Sequence, residues 1–240
     1  MTKPYKNQEE GKKEQVRAMF NRIAPRYDFL NHTLSFGIDA IWRRNVVKLL
    51  CEYQAPMILD VATGTADLAI EACRLDPVAV YGVDISGKML EIAQNKVNKK
   101  NLQMMVHLRE ADSEDLPFEN QFFDVATVAF GVRNFENLRK GLSEISRVLR
   151  PGGRLVVLEF STPRAFPFKQ LYHFYFNHIL PLWGGLLARD KAAYAYLPES
   201  VRHFPEGEEF NNELREAGLT PERTLPQTFG IATIYVGRKD

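Results

Sequence analysis

Cysteine is almost missing from this chain. Cys51 and Cys73 are the only two in 240 residues and show no C-x-x-C spacing, which leaves a disulfide scaffold and a thiolate metal site without support. Both lie in helical patterns and are expected as buried free thiols. An excess of either charge is missing as well: 31 basic against 30 acidic residues give +1, so no nucleic-acid partner is expected. The first ten residues hold no apolar signal core, which points to a cytoplasmic protein. Histidines 32, 107, 173, 178 and 203 lack metal-ligand spacing, so no metal is expected. There is no linker, repeat or low-complexity tract. With 45% hydrophobic and 25% charged residues, the composition suits one α/β domain.

Glycine is missing at particular positions. A dinucleotide fold wants G-x-G-x-x-G after its first strand, yet Met57-Ile-Leu-Asp-Val-Ala-Thr-Gly-Thr-Ala-Asp67 has only Gly64, with Ala62 and Ala66 where glycines would stand. This disfavours NAD. S-adenosylmethionine has no pyrophosphate and needs one close backbone approach plus an acid at the strand end. Asp60 and Gly64 meet that need.

The rest of the chain alternates. Strand 57–61 leads to helix 67–75, strand 78–84 to helix 86–98, strand 104–110 to a loop, strand 123–129 to helix 136–149, and strand 153–160 closes the series. Such alternation requires crossovers and predicts a mostly parallel sheet with helices on both faces. Arg150-Pro-Gly-Gly153 reads as a helix stop and turn. Helix 206–217 and two closely connected strands, near 221–225 and 230–237, predict a C-terminal antiparallel hairpin. Before the core, residues 1–12 read as loosely attached, a helix from Glu14 should end at Pro25, the aromatic stretch Tyr27 to Gly37 reads as irregular, and a second helix covers 40–52.

Asp84, closing Tyr81-Gly-Val-Asp-Ile-Ser86, can accept both ribose hydroxyls, with Ile85 beside it as a further cofactor contact. After the third strand, Asp112 can accept the adenine amino group and the Ser113 backbone can meet a ring nitrogen. Arg133 and Asn134 follow the fourth strand directly, at the carboxyl edge where ligands of open α/β sheets sit.

With these motifs in order, the chain resembles class I methyltransferases, and more narrowly the ubiquinone/menaquinone biosynthesis C-methyltransferase family. Tyr27-Asp-Phe-Leu-Asn31, Leu34-Ser35 and Trp42 resemble one signature, and Arg147 to Ser161 another. Phe130-Gly-Val-Arg-Asn134 and Tyr194-Ala-Tyr-Leu-Pro-Glu-Ser-Val201 extend the likeness over residues 14 to 238. Asp39, Leu30, Arg150 and Ala129 depart from the family's usual His, Met, Lys and Ser; the Ser is a cofactor contact, so Ala129 is a changed one. The resemblance implies a Rossmann-like class I methyltransferase fold of seven strands, and cofactor contacts at Thr65, Asp84, Asp112 and Ser113. It also implies transfer of a methyl group from S-adenosylmethionine to a ring carbon of a prenylated quinol, demethylmenaquinol above all, leaving S-adenosylhomocysteine.

Arg133 would then stabilise the quinolate, Asn134 would orient the hydroxyl or a water, and Tyr27 would close over both reactants as the third catalytic residue. Glu159 would orient Arg133. The expected layout is one domain over 1–240: a helical cap (1–52), a cofactor core (53–160 and 204–240) and an apolar substrate lid (161–203). From Gln170 to Ala188 the lid holds no charged residue, and Phe166, Phe168, Tyr172, Phe174, Tyr175, Phe176 and Trp183 lie in or near that stretch. His173, Asn177, His178, Pro181 and Gly184-Gly185 argue against a membrane span; an apolar channel for a prenyl tail, touching the bilayer surface, is the preferred reading. A sterol or phenolic O-acceptor, a non-catalytic cofactor-binding role, and a homodimer remain open.

Overall fold

The computed structural model describes residues 2–5, 9–35, 37–175 and 191–240. The chain runs α1 (Lys12–Leu34), α2 (Ile38–Lys48), β1 (Met57–Val61), α3 (Asp67–Ala72), β2 (Ala79–Asp84), α4 (Gly87–Lys99), β3 (Val106–Glu110), β4 (Phe123–Ala129), α5 (Leu138–Val148) and β5 (Leu149–Phe160). There follow α6 (Phe168–Phe174), α7 (Lys191–His203), α8 (Glu208–Glu216), β6 (Leu219–Gln227) and β7 (Ala232–Lys239). The seven strands form one sheet in the order β3-β2-β1-β4-β5-β7-β6. Only β7 is reversed, pairing antiparallel with both β5 and β6.

Apolar strands explain the central position of the sheet. Ile58 and Leu59 are both fully buried yet belong to different cores, because successive side chains leave a strand on opposite faces. Leu59 joins Leu142 and Ile145 of α5 and Phe210 and Leu214 of α8. Ile58 joins Trp42 and Val46 of α2, Leu68 of α3, and Ala93 and Val97 of α4. Side-chain caps start two of these helices: Ser86 accepts from the Met89 N–H at 3.3 Å, and Asn137 accepts from the Lys140 N–H at 3.0 Å.

Five expectations need correction. Pro25 does not end α1, which continues to Leu34. Proline removes one helical bond, but tertiary anchors hold the helix on both sides of it. Asn21 accepts from the Ser86 hydroxyl at 2.8 Å, and Asp28 accepts from the Thr65 hydroxyl at 2.5 Å. Tyr27 and Asp28 are therefore helical. Among residues 1–12, the described ones are tied down rather than loose, since the Tyr5 N–H donates to the fully buried Gln15 at 2.9 Å, the Lys3 ammonium donates to the Glu10 carbonyl at 2.9 Å and Lys12 is itself buried. Cys51 is exposed, because α2 stops at Lys48 and leaves it in a turn; Cys73 is half-buried. Finally, α5 stops at Val148 as expected, but Arg150 to Gly153 belong to β5, with a bulge against β4 in place of a free turn. Phe176, Asn177, His178, Pro181, Trp183 and Gly184-Gly185 of the expected lid lie outside the described residues, as do the side chains of Leu30, Asn31, Leu34, His173 and Tyr194.

Candidate active site

The site forms where β1, β2, β4 and β5 end. Asp60 is 1% exposed, and its carboxylate accepts from the hydroxyls of Thr63 at 2.6 Å and Thr127 at 2.7 Å. Burial pushes this carboxyl up to about 6 against those hydrogen bonds. The turn that follows has φ of 53° at Ala62, 57° at Gly64 and 66° at Ala66. The two alanines thus hold the left-handed backbone that glycine would adopt more readily.

Asp84 closes that turn from the next strand. One carboxylate oxygen accepts from the Gly64 N–H and the other from the Ser86 N–H, each at 2.8 Å. Burial raises it also to about 6. A carboxylate accepts about four donors, so with the backbone of Gly64, Ser86 and Ile85 engaged it keeps acceptor capacity for one more. Asp112 pairs with Lys13 at 2.5 Å and accepts from the Glu114 N–H at 2.9 Å.

After β4, a short 3-10 turn (Val132–Asn134) presents Arg133 and Asn134. Arg133 Nη1 donates to the wholly buried Glu159 at 2.6 Å and to the Phe130 carbonyl at 2.5 Å, with the guanidinium 5.5 Å from the Phe160 ring centre. Burial raises the Glu159 carboxyl, with Arg133 opposing. Asn134 Nδ2 donates to the Phe130 carbonyl at 3.3 Å. From α1, the Lys12 ammonium donates to the carbonyls of Arg133 at 3.0 Å and Phe135 at 2.6 Å, and burial followed by Arg133's charge lowers it to about 8.

Two adjoining cavities result. The larger, about 480 Å³, is lined by Tyr27, Asp60, Gly64, Thr65, Ala129, Arg133 and Asn134, and by Trp42, Phe160, Phe168, Leu171, Tyr172 and Tyr196. The smaller, about 70 Å³, is lined by Asp84, Ile85, Asp112 and Ser113, and shares Phe20, Tyr27, Ala62, Gly64, Ala129, Phe130 and Asn134 with the first. Every residue singled out in the sequence as catalytic or cofactor-binding therefore lines one or both.

Thr65 stands apart in one respect, because its hydroxyl is engaged inside the protein. It donates to Asp28 at 2.5 Å and accepts from Lys96 at 3.1 Å, while Lys96 also reaches Asp28 at 3.0 Å and pairs with Asp67. Asp28, His32 and Asp67 bring their ligand-type atoms within 4.8 Å of one another, as a metal site would. Lys96 and Arg43, the latter 3.2 Å from Asp67, already supply positive charge there. This network was not legible in the sequence, since Lys96 carries no local signal for a partner 68 residues away.

A parallel sheet with one reversed strand, carboxylates ending β1 and β2, and a one-glycine turn entering α3 define a class I S-adenosylmethionine-dependent methyltransferase. The pocket suits that cofactor. Gly64 has no side chain on the wall common to both cavities, and Asp84 retains acceptor capacity beside the smaller one. The sequence as a whole narrows the class: residues 8–239 match the ubiE/COQ5 methyltransferase family, and the chain belongs to it. It is 47% identical to the demethylmenaquinone methyltransferase of Bacteroides fragilis over 99% of this chain and 97% of that one. It is 49% identical to the ubiquinone/menaquinone biosynthesis C-methyltransferase UbiE of Geobacter sulfurreducens over 95% of this chain and 90% of that one. Among solved structures, the [4+2]-cyclase SpnF superposes with a TM-score of 0.67 at 18% identity, covering 95% of this chain and 96% of that one. A possible histamine N-methyltransferase of Thermotoga maritima gives 0.64 at 19% identity, covering 94% and 100%. These two speak for the fold alone.

Proposed function

We propose that this enzyme methylates a ring carbon of a reduced, prenylated quinol, with demethylmenaquinol as its main acceptor and the benzoquinol of ubiquinone synthesis as a second. The observation that carries this reading is a large aromatic-walled cavity lined by Arg133, whose guanidinium is paired with the buried Glu159 behind it, opening off the turn after β1. The names of the relatives from Bacteroides fragilis and Geobacter sulfurreducens point to the same two acceptors.

S-adenosylmethionine, when bound, supplies an electrophilic methyl group. Asp84 is suited to accept from its ribose hydroxyls beside Ile85, with Asp112 and Ser113 at the adenine and Asp60, Gly64, the Thr65 backbone and Ala129 around the amino-acid part. An aromatic carbon is a poor nucleophile until a neighbouring hydroxyl ionises. The Arg133 guanidinium, fixed by Glu159, favours that ionisation, and Asn134 orients the hydroxyl or a water that takes the proton. Tyr27, on the wall common to both cavities, holds the two reactants together.

The lid reading adds the tail. Phe168, Leu171, Tyr172 and Tyr175 line the large cavity, while Phe166 and Phe229 are mostly exposed and Phe168 stacks on Phe229 at 3.7 Å. An aromatic rim of this kind suits the surface of the bilayer that holds a prenylated substrate. Among the described residues, no helix is long and apolar enough to cross a membrane. Incubation with methyl-labelled S-adenosylmethionine and either demethylmenaquinol or the ubiquinol precursor, followed by mass spectrometry, tests the proposal. Label on a ring carbon is expected; label on oxygen, or in neither product, would overturn it.

A further inference from the structure

Among the described residues, three buried side-chain polar atoms have no hydrogen-bond partner: Arg133 Nε, Asn134 Oδ1 and Tyr196 Oη. All three belong to residues lining the larger cavity. Buried polar groups are normally satisfied, so three orphans on residues that line one cavity point to a place where a ligand completes the bonding. Arg133 and Asn134 share the turn after β4, whereas Tyr196 arrives from α7, beyond the apolar segment. Its ring is 4% exposed and packs on Val16 and Met19 of α1, which fixes the side chain without using the hydroxyl. Burial pushes its phenol up to about 12, so the hydroxyl keeps its proton and remains a donor.

The set has a definite complement. Arg133 Nε–H and Tyr196 Oη–H are donors, and Asn134 Oδ1 is an acceptor. Two donors suit a ring oxygen that gains negative charge as the reaction proceeds. The acceptor requires an O–H, which a fully oxidised quinone ring lacks. We propose that Tyr196 is a substrate-binding residue whose hydroxyl donates to the ring oxygen of the acceptor alongside Arg133, an assignment that rests on the quinol reading above.

Tyr196→Phe keeps the packed ring and removes only the hydroxyl. With the enzyme loaded with S-adenosylhomocysteine, affinity is measured anaerobically for a short-chain 1,4-naphthoquinol and for 2-methylnaphthalene, which has the ring without oxygens. The variant is expected to lose about tenfold in affinity for the quinol and none for the hydrocarbon, as loss of one hydrogen bond would give. Equal losses for both probes would mean a packing role, and no loss for either would mean no contact; each overturns the proposal. Turnover separates this from the parent reading. A wild type that methylates the quinol, with a variant unchanged in kcat and KM, sinks Tyr196 alone. A wild type inactive on every quinol sinks the proposed function, and with it the assignment of Tyr196 to that acceptor.

Discussion

Arg133 and Glu159 meet at 2.6 Å where β4 and β5 end, with the arginine side chain 8% exposed and the glutamate not at all. Such a pair is costly to bury, and its attraction roughly offsets the desolvation rather than exceeding it. Removing one partner strands a charge. Glu159→Leu is expected to lose about 3–5 kcal/mol in denaturant unfolding, and Arg133→Met a similar amount, whereas the double variant should recover most of the loss. The double variant should also bind S-adenosylhomocysteine but turn over no substrate. Additive losses in the double variant would mean that the pair is not coupled.

If Asp84 binds the cofactor as proposed, it should give that site a pH dependence. Its folded carboxyl titrates near 6, above the usual value near 4, because burial disfavours the charge. In the free protein this is a stability cost, fully present above pH 6 and gone below about 4. In the proposed mode ribose hydroxyls would donate to the ionised form, so ligand binding would work against protonation. Affinity for S-adenosylhomocysteine should be flat above pH 6 and decline below it, by at most about tenfold per pH unit for this one proton. Asp84→Asn should weaken binding and remove most of that slope. Any remainder belongs to Asp60, which also titrates near 6. A wild-type affinity unchanged between pH 5 and 8 would refute the assignment.

Lys12 reaches from the first turn of α1 to the carbonyls of Arg133 and Phe135, and so anchors the Val132–Asn134 turn from outside the sheet. Its pKa is lowered to about 8, so the cost of its buried charge is present below pH 8 and is relieved as pH rises toward 10.5. Lys12→Met keeps the stem and removes the donors. Turnover should fall about tenfold with cofactor affinity nearly unchanged, as expected when loss of about one hydrogen bond loosens a positioned group. Comparing thermal unfolding at pH 7.5 and 9.5, the wild type should gain stability relative to the variant at the higher pH. A gain of equal size in both would exclude Lys12 as the titrating group.

The core could be read from the chain because its signals are local. Alternating strands and helices, Ser86 and Asn137 as caps, and Asp60 and Asp84 at strand ends each occupy a few neighbouring residues. Pro25 misled because its effect is local while the contacts that override it, Asn21 with Ser86 and Asp28 with Thr65, are distant. The same reason hid Lys96 and Lys12. Tyr196 stood inside a recognisable motif, yet an unpartnered hydroxyl becomes visible only once the surrounding groups have been placed.

Gly131 offers a test of how closely the turn after β1 and the turn after β4 are joined. Its φ of −107° is open to any residue, so backbone freedom does not explain the glycine. Proximity does: an added Cβ would lie 2.6 Å from the Cβ of Ala62 and 3.0 Å from Val128 Cγ1. Ala62 is itself held at φ 53° in the turn after β1. Gly131→Ala must therefore push the two turns apart, at roughly 1–3 kcal/mol of stability for an overpacked contact. Because Ala62 lines both cavities, affinity for S-adenosylhomocysteine and turnover should fall together. Ala62→Gly removes the opposing methyl and relieves a left-handed alanine worth about 1 kcal/mol. The double variant Ala62→Gly/Gly131→Ala should then melt close to the wild type and regain cofactor binding. If Gly131→Ala alone keeps the wild-type melting temperature and affinity, the two turns are not in contact through this glycine.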